Sequence, residues 1–253
     1  MTCDVADREQ VEHLVRTVSN YYGRIDVLVN VAGVIAVGPM ETMTLDDYEE
    51  AMRVNYWGPL YTTLAVLPQM RRRREGRIVN ISSIGGKVAV PHLLPYDASK
   101  FALTGLSEGM RTELAKDGVV VTTVCPGLMR TGSPPNADFK GRHREEYAWF
   151  AISDALPVFS ISAEHAARRI VEACRYGEAE AILGLPAQVA TRVQGLFPGL
   201  TADVLGLVNR LLPEPGGIGT ERAEGIESGS RLAPSALTAA SDRASVRNNE
   251  VPL

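Results

Sequence analysis

Pro95-Tyr96-Asp97-Ala98-Ser99-Lys100 places a phenol and an ammonium four residues apart. On a helix, positions i and i+4 share one face. A cation beside a phenol favours the phenolate and lowers the tyrosine's pKa toward working pH. A tyrosine tuned in this way serves as general acid or base at a carbonyl or an alcohol. The pair alone is weakly specific: a helix with an exposed Lys near a packed Tyr gives the same pattern. The segments around it, and their order, carry the reading.

Upstream, Asn80-Ile81-Ser82-Ser83-Ile84-Gly85-Gly86 ends an apolar run, so that Ser83 sits at the end of a strand, where its hydroxyl can bond the same substrate oxygen. Further upstream, Asn30-Val31-Ala32-Gly33 follows the apolar run 25–31, and Asn55 lies in Val54-Asn55-Tyr56-Trp57-Gly58. Downstream, Cys125-Pro126-Gly127-Leu128-Met129-Arg130-Thr131 closes the β-branched run 119–125. Short apolar runs of this kind are buried parallel strands. Between them the sequence predicts helices over 7–22, ended by Gly23; over 45–70, with Thr44 as N-cap and an irregularity at Pro59; and over 97–116, ended near Gly118. A helix over 162–176 with Ser162 as N-cap and a last strand over 180–184 complete the alternation, which implies a parallel sheet with crossover helices.

In order, spacing and context, residues 1 to 185 resemble the short-chain dehydrogenase/reductase family. The resemblance implies an α/β, doubly wound, Rossmann-like parallel sheet in a single domain, and NAD- or NADP-dependent hydride transfer between an alcohol and a ketone or aldehyde. Tyr96 is then the general acid/base. Lys100 stabilises its phenolate and holds the nicotinamide ribose. Ser83 orients the substrate oxygen, and Asn55 breaks the local helix and holds a water that links Lys100 to solvent. Cofactor contacts carry over to Asp4 and Val5 at the adenine, to Asn30, Ala32 and Gly33 beside the adenosine ribose, and to Pro126, Gly127, Met129 and Thr131 at the nicotinamide amide, with Tyr96 and Lys100. Val31 stands where the family has a second Asn. The resemblance also makes residues 130–160 a mobile substrate lid. It pairs the helices 45–70 and 97–116 into a four-helix interface of a homodimer or tetramer.

The family's chain opens with a strand, a glycine-rich turn, a helix and a further strand-helix unit. Here Met1-Thr2-Cys3-Asp4-Val5 reads as the family's third strand. Two βα units, on the order of 60 residues, are expected to be missing. Such units hold the pyrophosphate and separate NAD from NADP. A start assigned too late is the preferred explanation, because the downstream chemistry is intact. The alternative is a truncated, non-catalytic remnant or interaction protein that cannot bind the dinucleotide. A sheet without its first strands exposes an edge and the faces beside it.

The 253 residues are 45% hydrophobic and 22% charged, with a net charge of −4, which suits one α/β domain and argues against nucleic-acid binding. Cys3, Cys125 and Cys174 read as reduced thiols of a cytoplasmic protein, and no metal-ligand spacing is present. The basic run Arg71 to Arg74 reads as a solvated helix end. His92, His143 and His165 read as surface residues, although His92 and Leu93 fall where the family lines its substrate pocket. Tyr147, Trp149 and Phe150 can cover a hydrophobic substrate. Residues 186–212 form an apolar extension, broken at Pro198-Gly199, that packs on the core or a second copy or rests on a membrane surface. Residues 213–253 read as a disordered tail, because Gly, Ser, Ala and charges dominate without apolar periodicity.

Overall fold

The computed structural model describes residues 1–156, 158–235 and 238–250. Helix α1 (Arg8–Tyr22) starts at Asp7, whose carboxylate accepts from the N–H groups of Glu9 and Gln10, and ends at Gly23, whose φ of +82° suits glycine. After β1 (Val27–Asn30) and β2 (Ala36–Val37) come α2 (Leu45–Met52) and α3 (Gly58–Arg73). Strand β3 (Gly76–Ile81) leads to α4 (Leu94–Leu114), and β4 (Val119–Pro126) follows Gly118. The segment expected as a lid folds into β5 (Leu128–Arg130), α5 (Ser133–Asn136), β6 (Asp138–Phe139), α6 (His143–Ala155) and β7 (Ser160–Ser162). Next come α7 (Ala163–Tyr176), β8 (Glu180–Leu183), α8 (Leu185–Leu196) and α9 (Pro198–Asn209), then β9 (Ala223–Glu224) and α10 (Ala239–Arg247).

The main sheet runs in the order β1-β3-β4-β8 with every pair parallel. Ile78, Val119 and Val121 pack under α3 and α4 on one face, while Val79 and Val124 meet Ala166 and Ala173 of α7 on the other. The sheet is thus covered on both faces, as parallel sheets require.

Three expectations change. Met1 to Val5 form no strand. Asp4 instead starts a turn: its carboxylate accepts from Ala6 N–H at 2.9 Å, its carbonyl from Asp7 N–H at 3.1 Å, and its own N–H donates to Gln10 at 3.0 Å. These local bonds replace a ladder that needs a neighbouring strand. The open edge is therefore that of β1, where Val27 and Val29 are 46% and 44% exposed. Second, the irregularity expected at Pro59 lies just before it: a π-helical turn spans Arg53–Trp57 and contains Asn55, and the backbone stays helical on into α3. Pro59 has no N–H for the Asn55 carbonyl four residues back.

Third, the segment after Pro213 has order where none was expected, although residues 236, 237 and 251–253 lie outside the described ones. β9 pairs antiparallel with β6, and Ala233 is fully buried beside Phe139 and Phe150. Arg222 reaches Asp47, which is itself 2.5 Å from the buried ammonium of Lys140. By contrast, α8 and α9 stay exposed: Leu196, Phe197, Leu200, Leu207 and Leu211 are each more than half accessible. No helix among the described residues is long and apolar enough to cross a membrane.

Candidate active site

A belt of buried polar side chains seats α4 on the sheet. Thr62 of α3 donates to Asn30 Oδ1 at 2.7 Å, and Asn30 donates to Asn80 Oδ1 at 2.8 Å. Asn80 donates to Ser107 Oγ of α4 at 3.0 Å, and Thr123 donates to the same oxygen at 2.7 Å. One turn nearer the strand ends, Ser82 bonds the Lys100 carbonyl at 3.0 Å and the Thr104 hydroxyl at 2.7 Å. Fully paired, such groups hold one geometry; left unpaired, each would cost stability. The belt fixes the height of α4, and with it Tyr96 and Lys100, over the carboxyl ends of β3 and β4, where open α/β sheets carry their sites.

Glycines permit the close approaches there. A Cβ on Gly85 would come within 2.4 Å of Asp97 Oδ1, and one on Gly86 within 2.6 Å of the Lys100 carbonyl. A Cβ on Gly33 would sit 3.0 Å from Asn55 Oδ1 and 3.5 Å from Lys100 Nζ.

A cavity of about 460 Å³ opens at this point. Gly33, Ser83, Tyr96, Lys100, Pro126, Gly127, Met129 and Thr131 all line it. The sequence-derived acid–base and nicotinamide-side residues therefore meet in one place. Asp4, Val5, Asn30, Ala32 and Asn55 do not line it. Asp4 and Ala32 are exposed, and Val5 packs against Gly58, where an added Cβ would come within 2.9 Å of it. The Asn30 side chain is spent within the polar belt.

Asn55 is fully buried, and its amide is also spent: it accepts from Val34 N–H at 2.9 Å and donates to the Val34 carbonyl at 3.0 Å and to Ser99 Oγ at 2.9 Å. Its side chain thus clamps the loop after β1 to α4. The π-turn is what aims it there.

The electrostatics reverse one expectation. Tyr96 is pushed up to about 12, chiefly by burial, with Ser83 pulling it partly back and Asp97, Asp154 and Cys125 adding to the rise. Burial pushes Lys100 down to about 8. Its Nζ lies 5.6 Å from the Tyr96 ring centroid and donates to the Ile81 carbonyl at 3.0 Å. Loss of hydration shifts both groups toward their neutral forms, yet at neutral pH Lys100 still carries its proton. Among the described residues no carboxylate pairs with this ammonium, so it keeps donors for a ligand.

Two carboxyls that the sequence reading passed over stand close by. Asp97 accepts from Val90 N–H at 2.6 Å through Oδ2, its Oδ1 has no partner, and burial pushes it up to about 8. Asp154, 5% exposed, lines the cavity and is likewise pushed up to about 8 by burial. Its signal was present in the chain: Tyr147, Phe150, Ala151 and Asp154 share one face of α6, and a carboxylate interrupts an otherwise apolar stripe. Glu250, from the supposed tail, also lines the cavity and accepts from Gly132 N–H. Trp149 and Phe150 line it as expected, whereas Tyr147 packs in the core beneath. Leu93 lines it too, but His92 turns away and is buried, its Nδ1 2.9 Å from Glu146 Oε1. No metal-binding cluster of His, Cys, Asp and Glu occurs among the described residues.

Residues 1–138 match the model of the family described as short chain dehydrogenase. A putative oxidoreductase, SadH, of Mycobacterium tuberculosis is 35% identical over 198 residues, covering 76% of this chain and 71% of that one. The chain spans about half the length of several other curated relatives it matches. Among solved structures, a short-chain dehydrogenase from Streptomyces avermitilis superposes with a TM-score of 0.66 at 31% identity, over 83% of this chain and 79% of that one. The fold is shared with ElxO, solved with NADP bound, at a TM-score of 0.59 and 24% identity over 72% and 75% of the two chains. Family model, relative and structural neighbour agree: the chain belongs to the short-chain dehydrogenase family.

Proposed function

We propose that this chain is an NAD(P)-dependent oxidoreductase that interconverts an alcohol and a ketone or aldehyde, with Tyr96 as its general acid/base. The observation that carries this reading is the meeting of Ser83, Tyr96 and Lys100 in one cavity, with the buried Lys100 ammonium unpaired by any carboxylate among the described residues. NADP in the ElxO structure supports the choice of cofactor.

The residues present fit the nicotinamide end of such a cofactor. Lys100 retains donors for ribose hydroxyls, Gly33 leaves open the space that a Cβ would fill beside it, and Pro126, Gly127, Met129 and Thr131 form the opposite wall. The bound nicotinamide would supply or accept the hydride. In reduction, Tyr96 donates its proton to the carbonyl oxygen, and Ser83 hydrogen-bonds that oxygen as negative charge develops. In oxidation, the phenolate takes the alcohol proton. Lys100 and a cationic nicotinamide ring both favour that phenolate, which offsets the upward push of burial on Tyr96. Asn55 is a positioning residue that ties the Val34 loop to the turn of α4 bearing Ser99. Asp4, Ala32 and Asn30, matched to the adenosine end by resemblance, lie outside the cavity.

We carry two further parts of the proposal. The substrate is a small alcohol or carbonyl compound with an apolar body, which Trp149 and Phe150 support. The protein is a homodimer or tetramer through α3 and α4, which exposed Leu64 and Phe101 support; sedimentation velocity at several concentrations checks it.

The test of function joins two readouts. NADH and NADPH binding are followed by cofactor fluorescence, and oxidation of the reduced cofactor is followed with a panel of ketones. Tyr96→Phe is expected to keep cofactor affinity and lose turnover. Full activity in that variant would remove Tyr96 from the mechanism, and a chain that binds neither cofactor would overturn the reading.

A further inference from the structure

Asp154 stands in the last turn of α6, where the helix dipole disfavours a negative charge. It is 5% exposed, yet among the described residues it has no hydrogen bond or ion pair. Its oxygens are not sealed in the core but open on the cavity, where an occupant can bond them. Other buried carboxylates have a partner for at least one oxygen: Glu146 meets His92 and Trp149, Asp47 meets Lys140 and Arg222, and Asp97 meets Val90 N–H. Asp154 differs because it lines the same cavity as Tyr96. The same cavity is lined by the apolar Val90, Leu93, Trp149 and Phe150, with Ser153 beside Asp154 in the chain.

We propose that Asp154 is a specificity-determining residue that selects substrates carrying a second hydroxyl group on an otherwise apolar body. The proposal rests on the alcohol–carbonyl reading of the site. The reacting oxygen goes to Tyr96 and Ser83, and the second hydroxyl completes the bonding of Asp154. A hydroxyl both donates and accepts, and so matches a carboxyl that burial keeps protonated near neutral pH. An anionic substituent is disfavoured there, because the carboxyls of Asp154 and Glu250 both line this cavity. A site built to bond a hydroxyl rejects analogues that lack it, since its own polar group is then left unpaired.

The test uses the full chain in a Trp57→Phe background, which leaves Trp149 in the cavity wall as the single indole reporter. Ketones of the 2-alkanone series, from four to ten carbons, are titrated against their ω-hydroxy counterparts by fluorescence. At the matching chain length the hydroxy compound is expected to bind about tenfold tighter than its parent. Asp154→Leu should abolish that preference, and Asp154→Asn, which still bonds a hydroxyl, should retain part of it. Asp154→Leu should also raise the thermal midpoint, because it replaces a desolvated cavity carboxyl at a helix C-terminus with an apolar side chain. Equal binding of the two series to the parent protein overturns the proposal, as does a preference that survives Asp154→Leu, or a lowered midpoint in that variant. Turnover is read separately. If no ketone is reduced while the hydroxyl preference stands, the oxidoreductase reading fails and the binding role of Asp154 remains.

Discussion

The centre of the sheet and its β1 edge are built on opposite terms. At the centre, β3 and β4 are buried on both faces and cross-tied by Asn80, Ser107 and Thr123, and they carry Ser83, Tyr96 and Lys100. At the edge, β1 pairs on one side only among the described residues and shows Val27, Val29 and Val31 to solvent. The proposed acid–base residues rest on the first region. Of the residues matched to the adenosine, Ala32 follows β1 and is exposed, while Asn30 ends β1 with its side chain held in the central belt. The proposed catalytic geometry thus rests on the closed interior.

Four experiments press on that contrast. The largest effect is expected at the centre: Tyr96→Phe should lower turnover by about 10²–10⁴-fold in a ketone-reduction assay while circular dichroism is unchanged. If the fold changes instead, the phenol is structural.

Next, Asn80→Ala should destabilise the chain by about 2–4 kcal/mol in urea unfolding, because Asn30 and Ser107 each lose a buried partner. A cost below ~0.5 kcal/mol would show that the belt adds nothing to the core.

Third, the buried carboxyls set a pH slope. Asp97 and Asp154 are raised from 3.8 to about 8, so the folded chain holds protons that the unfolded chain releases. Their contribution is full below about pH 4 and is lost as pH rises through about 8. Lys100, lowered to about 8, acts in the opposite sense: its penalty is present below that pH and relieved between about 8 and 10.5. Denaturation midpoints of Asp97→Asn, measured from pH 4 to 8, should therefore fall less than those of the parent. A slope unchanged by the substitution would place that carboxyl in water.

The smallest effect belongs to the edge. Val29→Lys should change stability by no more than about 0.5 kcal/mol and should reduce self-association in light scattering, because a charge blocks edge pairing. A large loss of stability would mean that this face is covered.

Much of the centre was legible in the chain. Short apolar runs become strands because both their faces are buried, and Tyr96 and Lys100 share a helix face whatever surrounds them. The misjudged parts lacked a local signal. Whether Met1 to Val5 forms a strand depends on a neighbour, and its own residues prefer a turn. The irregularity expected at Pro59 is the π-turn that ends at Trp57, and what the chain did not display is the bond to Val34 that this turn gives Asn55. The segment after Pro213 is held by Ala233, Ser228 and Arg222, single small or charged residues that leave no periodic apolar trace. The reversed Tyr96 pKa was hidden because sequence displays the neighbouring charge and conceals the depth of burial.

The belt from Thr62 to Thr123 also has an informational consequence. Valines and isoleucines along parallel strands are nearly interchangeable, so an apolar sheet can accept several alignments at similar energy. Here Asn30 faces Asn80, and Asn80 faces Thr123. A slip of β3 by one residue would turn Asn80 to the opposite face and strand its partners on both sides. The belt acts as a checksum on strand alignment: only the arrangement that also delivers Ser83 to Tyr96 closes without error.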